Sequence, residues 1–513
     1  MVIYMAAVIA IGLWFAKRAN KDSEAYFLGG RSLGPWVTAM SAEASDMSGW
    51  LLMGLPGVAY WCGIADAFWT AIGLAIGTYA NWLLLAKRLR KYSVVANNSI
   101  TIPDFFSNRF REKSKIIMTI ASLFILVFFG VYVGSCFATC GKLFSGIFDI
   151  PYLVAMLIGA AFVIIYTFLG GFLAESVSDF MQAIVMICAL VAVLAAGVIN
   201  AGGFSEVVAN IKDIPGFTEF FNIAVPEVNE AGEQIAANAF NASSEYGVLN
   251  AISMLAWGLG YFGMPQVLLR FIAIRKSSEI KSSRRIATVW CVISLVAAVC
   301  IGLIGRGLAI GGAIDGVELA TKSSAENVFV LMSNTFFHPI FAGLIMAGIL
   351  AATISSSDSY LLISASAFSK NIYQGVFHKK ASDKQVMVMS RIALLAIAGI
   401  GVILALDKNS VIFNIVSFAW AGFGATFGPL MIFSLFWKRI NRAGAIAGML
   451  SGAATVFIWK LVLNPKLGGI FTIYELLPAF IISCIFIVAV SLVTPPPSAE
   501  IQADFEAAKT VDC

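Results

Sequence analysis

Apolar runs of roughly 20 residues, each long enough to cross a bilayer as a helix, recur from end to end of this chain. That feature removes most folds at once. Inside hydrocarbon every backbone N–H and C=O needs a partner within the spanning structure, so only helices and closed barrels cross. These runs are too long and too uniformly apolar for outer-membrane strands, which leaves an all-α integral membrane protein. The composition agrees: 12% of the residues are charged and 59% hydrophobic, against about 25% charged in soluble domains. About thirteen spans are expected, near 1–16, 34–60, 66–88, 115–145, 151–170, 178–200, 249–273, 286–310, 328–369, 388–406, 409–437, 443–463 and 473–494.

The connecting loops alternate in charge. Lys17–Lys21, Lys87–Lys91 with Arg109–Lys115, Arg275–Arg285, Lys379–Lys384 and Lys438–Arg442 are basic. Between them, Ala201–Leu249 holds one Lys and seven acids: Glu206, Asp213, Glu219, Glu227, Glu230, Glu233 and Glu245. The excess of cations on one side predicts a cytoplasmic location for the basic loops, with the N-terminus outside and residues 495–513 inside. The net charge of +5 is confined to those loops and does not point to nucleic acid. Met1–Phe15 resembles a signal-peptide core, but no small-residue cleavage site follows, so a retained first helix is expected. Cys62, Cys136, Cys140, Cys188, Cys291, Cys300 and Cys484 lie mostly in apolar runs without disulfide or metal spacing and read as small buried hydrophobes. Asn241-Ala-Ser is a formal glycosylation sequon of a kind common by chance.

Ser41–Gly57, SAEASDMSGWLLMGLPG, is the exceptional stretch. It lies in a bilayer-length segment yet carries Glu43 and Asp46, the pair Ser48-Gly49, and then Gly54, Pro56 and Gly57. An ionised group at bilayer depth costs at least about 3 kcal/mol, and irregular backbone survives there only when buried in protein or lining a cavity. A packing kink with a snorkelling acid is the bland reading; a broken helix that builds a binding site is the stronger one. A second interruption falls in Ser253–Arg270, where three Gly and one Pro crowd together. Gly258-Leu-Gly260-Tyr-Phe-Gly263 spells a dinucleotide fingerprint, but that motif needs a strand before it in a soluble fold. Setting the first helix aside, the two interruptions open two sets of five helices, the mark of an inverted-repeat transporter. Gly348–Tyr360 adds Thr353, Ser355, Ser356, Ser357 and Ser359 beside Asp358. Serines often bond their own helix carbonyls and mean nothing more. Five hydroxyls beside an acid and freed carbonyls instead suit a small alkali cation, and no His or Cys cluster suggests a softer metal.

Six motifs in order carry a family resemblance: Gly29–Pro35, Ser41–Gly57, Phe168–Asp179, Trp257–Pro265, Ile349–Ser357 and Ala419–Pro429. Ser434-Leu-Phe-Trp-Lys-Arg439, then Gly444-Ala445 and Gly448, follow. Nearly end to end the chain resembles the sodium/solute symporter family, and most of all its proline-carrying branch. The resemblance implies an inverted five-plus-five core of the leucine-transporter type. One extra helix and loop (1–33) would precede the repeats (34–200 and 249–437), with an outer acidic loop (201–248) between them. Two C-terminal helices (438–494) and a tail (495–513) would follow. It implies inward sodium-coupled movement of L-proline across a bacterial inner membrane, with no organic cofactor, no enzyme activity, lipid as surroundings and a functional monomer. Carried over, the carbonyls of Ala44, Met47 and Ala352 and the hydroxyls of Ser355 and Ser356 would hold sodium, with Asp46 on its pathway. Ser48 and Gly49 would meet the solute's carboxylate at half-helix ends, and Trp50, Tyr132, Trp257, Tyr261 and Pro265 would line its pocket. The chain departs from the family pattern at Ser356, where Thr is usual, and from the proline pattern at Met264 and Tyr360, where Gln is usual. Asp179 with Ser356 suggests a second sodium site, but Ala352 lacks a hydroxyl, so one sodium is expected.

Three rival readings stand beside this one. In the first, the same fold carries another small amino acid, a sugar, pantothenate or sialic acid. A membrane enzyme would need chemistry that His338 and His378, the two histidines, do not offer, since neither has a nucleophile or metal partner in view. A channel or passive sensor would ignore the sodium gradient.

Overall fold

The computed structural model describes residues 2–19, 23–511 and 513. Lys21, in the first expected basic loop, lies outside the described residues, while Lys17 and Arg18 continue the first helix. The helices used below are α1 (Val2–Ala19), α2 (Pro35–Gly49), α3 (Leu55–Cys62), α4 (Ile64–Asn81), α5 (Lys87–Val95), α6 (Ile102–Arg109), α7 (Ile116–Phe148), α8 (Tyr152–Gly170) and α9 (Phe172–Asn200). Then come α10 (Gly247–Leu255), α11 (Pro265–Ala273), α12 (Ile280–Ile310), α13 (Pro339–Ser366), α14 (Asp383–Leu404), α15 (Ile412–Phe436), α16 (Arg442–Ile458), α17 (Leu476–Val493) and α18 (Ala499–Thr510).

Among the described residues nine helices are long and apolar enough to cross a membrane, or ten when the bent pair Gly247–Gly263 and Pro265–Ala273 counts as one span. Three other expected spans are helical but fall outside that count: α1, the broken α2–α3 and the shorter α8. One expected boundary is wrong. The span placed at 328–369 begins at Pro339, and Val328–Phe336 is a separate helix. A residue before proline is pushed out of the helical region, and His338 is extended at φ −56°, ψ 141°.

α2–α3 packs in the middle, against α9, α12 and α13, and α7 packs on both α13 and α15. Close approach needs small residues. A Cβ on Gly77 of α4 would lie 2.4 Å from Gly258 Cα, so α4 runs backbone to backbone with the second interrupted helix. Small residues in this role replace the hydrophobic drive that lipid removes.

The acidic loop holds structure that its composition did not signal: an antiparallel hairpin of β1 (Asn222–Pro226) and β2 (Phe240–Glu245). It is fastened to α4 where Trp69 Nε1 donates to the Phe220 carbonyl at 2.8 Å and Tyr246 bonds Asp66. At the other face α18 docks beside α5 and α6. Phe505 sits edge-on to Tyr92, 6.2 Å between centroids, and Arg111 pairs with Glu500 and Asp504, each at 2.7 Å.

Candidate functional site

The first break falls at Ser48, which stands at φ 47°, ψ −171° between helical neighbours. A serine in this region costs of order 1–3 kcal/mol and persists where the surroundings impose it. Gly49 explains part of that constraint, because its Cβ, if present, would sit 2.4 Å from Thr139 Cγ2 on α7. Trp50–Gly54 then continues as a π-helical turn into α3. The Trp50 N–H donates to Ser48 Oγ at 3.2 Å and also points at the Met47 and Ser48 carbonyls. The second break runs through Tyr261–Gly263, leaves Met264 extended at φ −75°, ψ 109°, and bends the span by 44° at Pro265. Its freed Trp257 carbonyl accepts from Trp420 Nε1 of α15 at 2.8 Å.

Directly before the first break, α13 lies against α2. Ser355 Oγ donates to the Ala44 carbonyl at 2.8 Å and lies 3.1 Å from the Ala352 carbonyl, and Ser356 Oγ is 3.3 Å from the Ala44 carbonyl. All four residues are fully buried. Four neutral oxygens from two helices therefore converge, while the Met47 carbonyl faces Trp50 N–H instead. Hydroxyl and carbonyl oxygens are the hard donors that alkali cations prefer. Ser357 and Thr353, in the same hydroxyl run, bond carbonyls of their own helix, the bland role considered above.

Asp46, two residues before Ser48, accepts from Gln266 Nε2 at 3.1 Å. This bond ties the two broken helices together just beside both interruptions. The aromatics divide into two groups. Trp50 stacks on Trp257, with centroids 5.3 Å apart and planes 30° apart; Phe413 lies 5.7 Å from the one and 5.4 Å from the other. Tyr261 joins them through Trp420 at 5.0 Å. Tyr132 packs instead with Tyr360 at 4.7 Å and Phe423 at 6.4 Å, the helical backbone of α15 at Phe423 lying against Gly263. Trp50 Nε1, Trp257 Nε1 and Tyr132 Oη are buried without a hydrogen-bond partner. They are polar groups free to bond a ligand that enters between the two aromatic groups.

Both ends of this region are closed. On the side of the acidic loop, Lys142 of α7 pairs with Glu326 at 2.6 Å, and both side chains are 5% exposed or less. Glu326 also accepts the Ile412 and Phe413 N–H groups at 3.0 Å, a carboxylate on the N-terminus of α15. The pair thus holds Phe413 over Trp50 and Trp257. On the side of the basic loops, Leu33 N–H donates to the Ala273 carbonyl at 3.3 Å and Arg275 N–H to the Leu33 carbonyl at 3.0 Å, joining the N-terminal end of α2 to the C-terminal end of α11. Above that join Arg270 of α11 binds Asp179 at 3.1 Å, Ser41 at 3.0 Å, Ser359 at 2.9 Å and Glu175. Ser41 donates to the same Asp179 oxygen at 2.7 Å.

Sequence reasoning missed Gln266, Arg270, Glu175, Lys142, Glu326 and Phe413 as parts of one assembly. Arg270, Glu175 and Lys142 carried a usable signal, since a charge within an apolar run is functional by default. Phe413 and Glu326 carried none, because only folding brings them over the breaks.

The broken helices, the oxygen cluster and the two closures define an ion-coupled carrier. The model of the "Sodium:solute symporter family" matches residues 26–452, and the chain belongs to that family. A solved structure described as a substrate-bound outward-open Na+-coupled sialic acid symporter superimposes with TM-score 0.75 over 96% of this chain and 97% of the other at 19% identity. MHP1, a nucleobase-cation-symport transporter, gives 0.52 at 14% identity over 94% and 98%. The fold is accordingly the inverted-repeat core of the leucine-transporter type. The "High-affinity proline transporter PutP" of Bacillus subtilis is 42% identical over 97% of this chain and 98% of its own. The "Osmoregulated proline transporter OpuE" of the same organism is 41% identical over 97% and 94%. A "Sodium/proline symporter" of Staphylococcus aureus is 37% identical over 99% and 95%.

Proposed function

We propose that this protein is a sodium-coupled importer of L-proline working by alternating access, and not an enzyme. The observation that carries the reading is the convergence of Ser355 and Ser356 on the Ala44 carbonyl, beside a break flanked by unpaired buried donors. The names of relatives at 37–42% identity over nearly the whole chain supply the solute.

Sodium, the coupling cargo, is held by the Ala44 and Ala352 carbonyls and the Ser355 and Ser356 hydroxyls, with Met47 contributing once Trp50 shifts. Asp46 acts through Gln266 to keep the two breaks in register. Proline places its carboxylate toward Ser48, Gly49 and the free indole and phenol donors. Its ring and secondary ammonium lie against Trp50 and Trp257, worth about 0.5–2 kcal/mol for a cation over an aromatic face. Tyr132, Tyr261 and Pro265 close the pocket. Asp179 already has Arg270 and Ser41 as partners, which supports a single sodium.

Sodium pins α2 to α13, which pre-forms the proline pocket, so each ligand raises the affinity of the other by the same factor. The loaded core then opens inward, and sodium leaves into a low-sodium cytoplasm. A membrane potential contributes about 2.3 kcal/mol per charge per 100 mV. The basic loops face the cytoplasm, the N-terminus lies outside, and one chain suffices, in a bacterial plasma membrane. Proteoliposome uptake of labelled proline, with and without an imposed sodium gradient, tests this. Accumulation should require the gradient; uptake indifferent to sodium, or sodium-driven accumulation of another solute with none of proline, would overturn it.

A further inference from the structure

An apolar groove of about 430 Å³ runs between α2, α9 and α12, away from the ion and aromatic clusters. Trp36 and Met40 of α2, Ile187 of α9 and Val289 and Ile293 of α12 line it, with Arg285 at one mouth. Trp290 forms its floor and is held there by a 3.1 Å bond from its indole to the Ala183 carbonyl. From Arg285 to Ile293 the groove climbs about 12 Å at 1.5 Å per residue, most of one leaflet of a core about 30 Å thick. Trp36, 58% exposed, stands near the charged end, the depth at which indoles settle in membranes.

Arg285 is the cation that lines the mouth, and Lys281 stands one turn before it on the same face of α12. Lys276, Lys281, Arg284 and Arg285 occupy one short stretch, and its one acid, Glu279, is already bound by Arg275 at 2.8–3.0 Å. Arg284 lies over the Tyr79 ring at 5.3 Å, and its Nε is buried without a hydrogen-bond partner. Among the described residues Lys281 and Arg285 make no ion pair within 4 Å. Lys281 sits in the first turn of α12, where the helix dipole disfavours a cation. Membrane topology accounts for cations in this loop; it does not account for Lys281 and Arg285 standing in line with Val289 and Ile293 at the head of an acyl-sized groove.

We propose that this groove binds one anionic phospholipid, its phosphate on Arg285 and Lys281 and one acyl chain along Val289, Ile293 and Met40. The lipid belongs to the cytoplasmic leaflet, which rests on the orientation proposed above. Because the chain lies against Trp36 and Met40, on the half of the first broken helix that forms the inner closure, bound lipid stabilises the closed inner arrangement.

The test is native mass spectrometry of the full chain taken from nanodiscs of phosphatidylcholine doped with phosphatidylglycerol. Wild type should retain one phosphatidylglycerol in preference to phosphatidylcholine. Arg285→Ala and Lys281→Ala should each weaken retention about fivefold, the equivalent of one surface cation, while Arg285→Lys keeps it. Val289→Trp should block the groove and lose the lipid although every cation remains. Lys379→Ala with Lys380→Ala, an unrelated basic loop, should change nothing. Equal retention by wild type and the Arg285→Ala, Lys281→Ala double variant overturns the proposal, as does an equal loss on changing Lys379 and Lys380. Labelling Lys281→Cys from outside intact cells with an impermeant maleimide separates the two readings: reaction there overturns the orientation, while lipid retention in symmetric nanodiscs still reports on the site.

Discussion

The proposed ion site rests on hydroxyls that do different work within one turn of helix. Ser355 reaches across to Ala44, whereas Ser357 bonds the Thr353 carbonyl of its own helix at 2.6 Å. Ser355→Ala should therefore raise the sodium concentration for half-maximal proline uptake at least tenfold, about 1.4 kcal/mol, and Ser357→Ala should leave it within about twofold. Sodium titration of uptake in proteoliposomes reads both, and equal effects would remove the assignment. Arg270 is a stability residue as well as a closing one. Its charge is wholly buried with Glu175 and Asp179, and removing one partner of such a group costs about 3–5 kcal/mol. Arg270→Met should lower the melting temperature markedly, and adding Glu175→Gln should recover part of the loss, read by thermal unfolding in detergent.

At the scale of the element, the break depends on how closely α2 approaches α7. Gly49→Ala would place a methyl on Thr139 Cγ2 and Oγ1, at 2.4 and 2.8 Å. Uptake by Gly49→Ala should fall at least tenfold, and Thr139→Ala in the same chain should restore a substantial part by removing both atoms. A double-mutant cycle on uptake and melting temperature measures the coupling. The positions of both breaks were legible from residues alone, because Gly, Pro and acids inside apolar runs have no other stable explanation at bilayer depth. The start of α13 was not, since a continuous apolar pattern across Phe337 and His338 concealed the interruption that Pro339 imposes. The hairpin in the acidic loop was hidden for another reason: its strands Asn222–Pro226 and Phe240–Glu245 are short, and neither sustains an alternating apolar face along its length.

At the scale of the whole molecule, the site is enclosed by two sets of bonds that join distant parts of the chain. Lys142, Glu326 and the start of α15 form the set on the side of the acidic loop. Lys142→Met should leave Glu326 less firmly held and shift the population toward a form open on that side. A cysteine at Phe413 should then react faster with an impermeant maleimide in that background, by several-fold; an unchanged rate would show that the pair does not hold the lid. Sodium-free and sodium-loaded samples give the comparison its reference.

Hydrophobic length and the chemistry of interruption determined this protein's class from the sequence. They are local properties: a run either can or cannot cross a bilayer, and a helix either can or cannot stay whole through Ser48-Gly49 or Met264-Pro265. Likeness of motifs then pointed to residues for the ion and the solute. Only the tertiary structure decided which serine turns outward from α13, that Gln266 answers Asp46, that Tyr132 packs apart from Trp50 and Trp257, and that Glu326 caps α15 above them. Those are meetings between segments as many as 311 residues apart, settled by helix packing and by the need of each buried polar group for a partner, which no local pattern records.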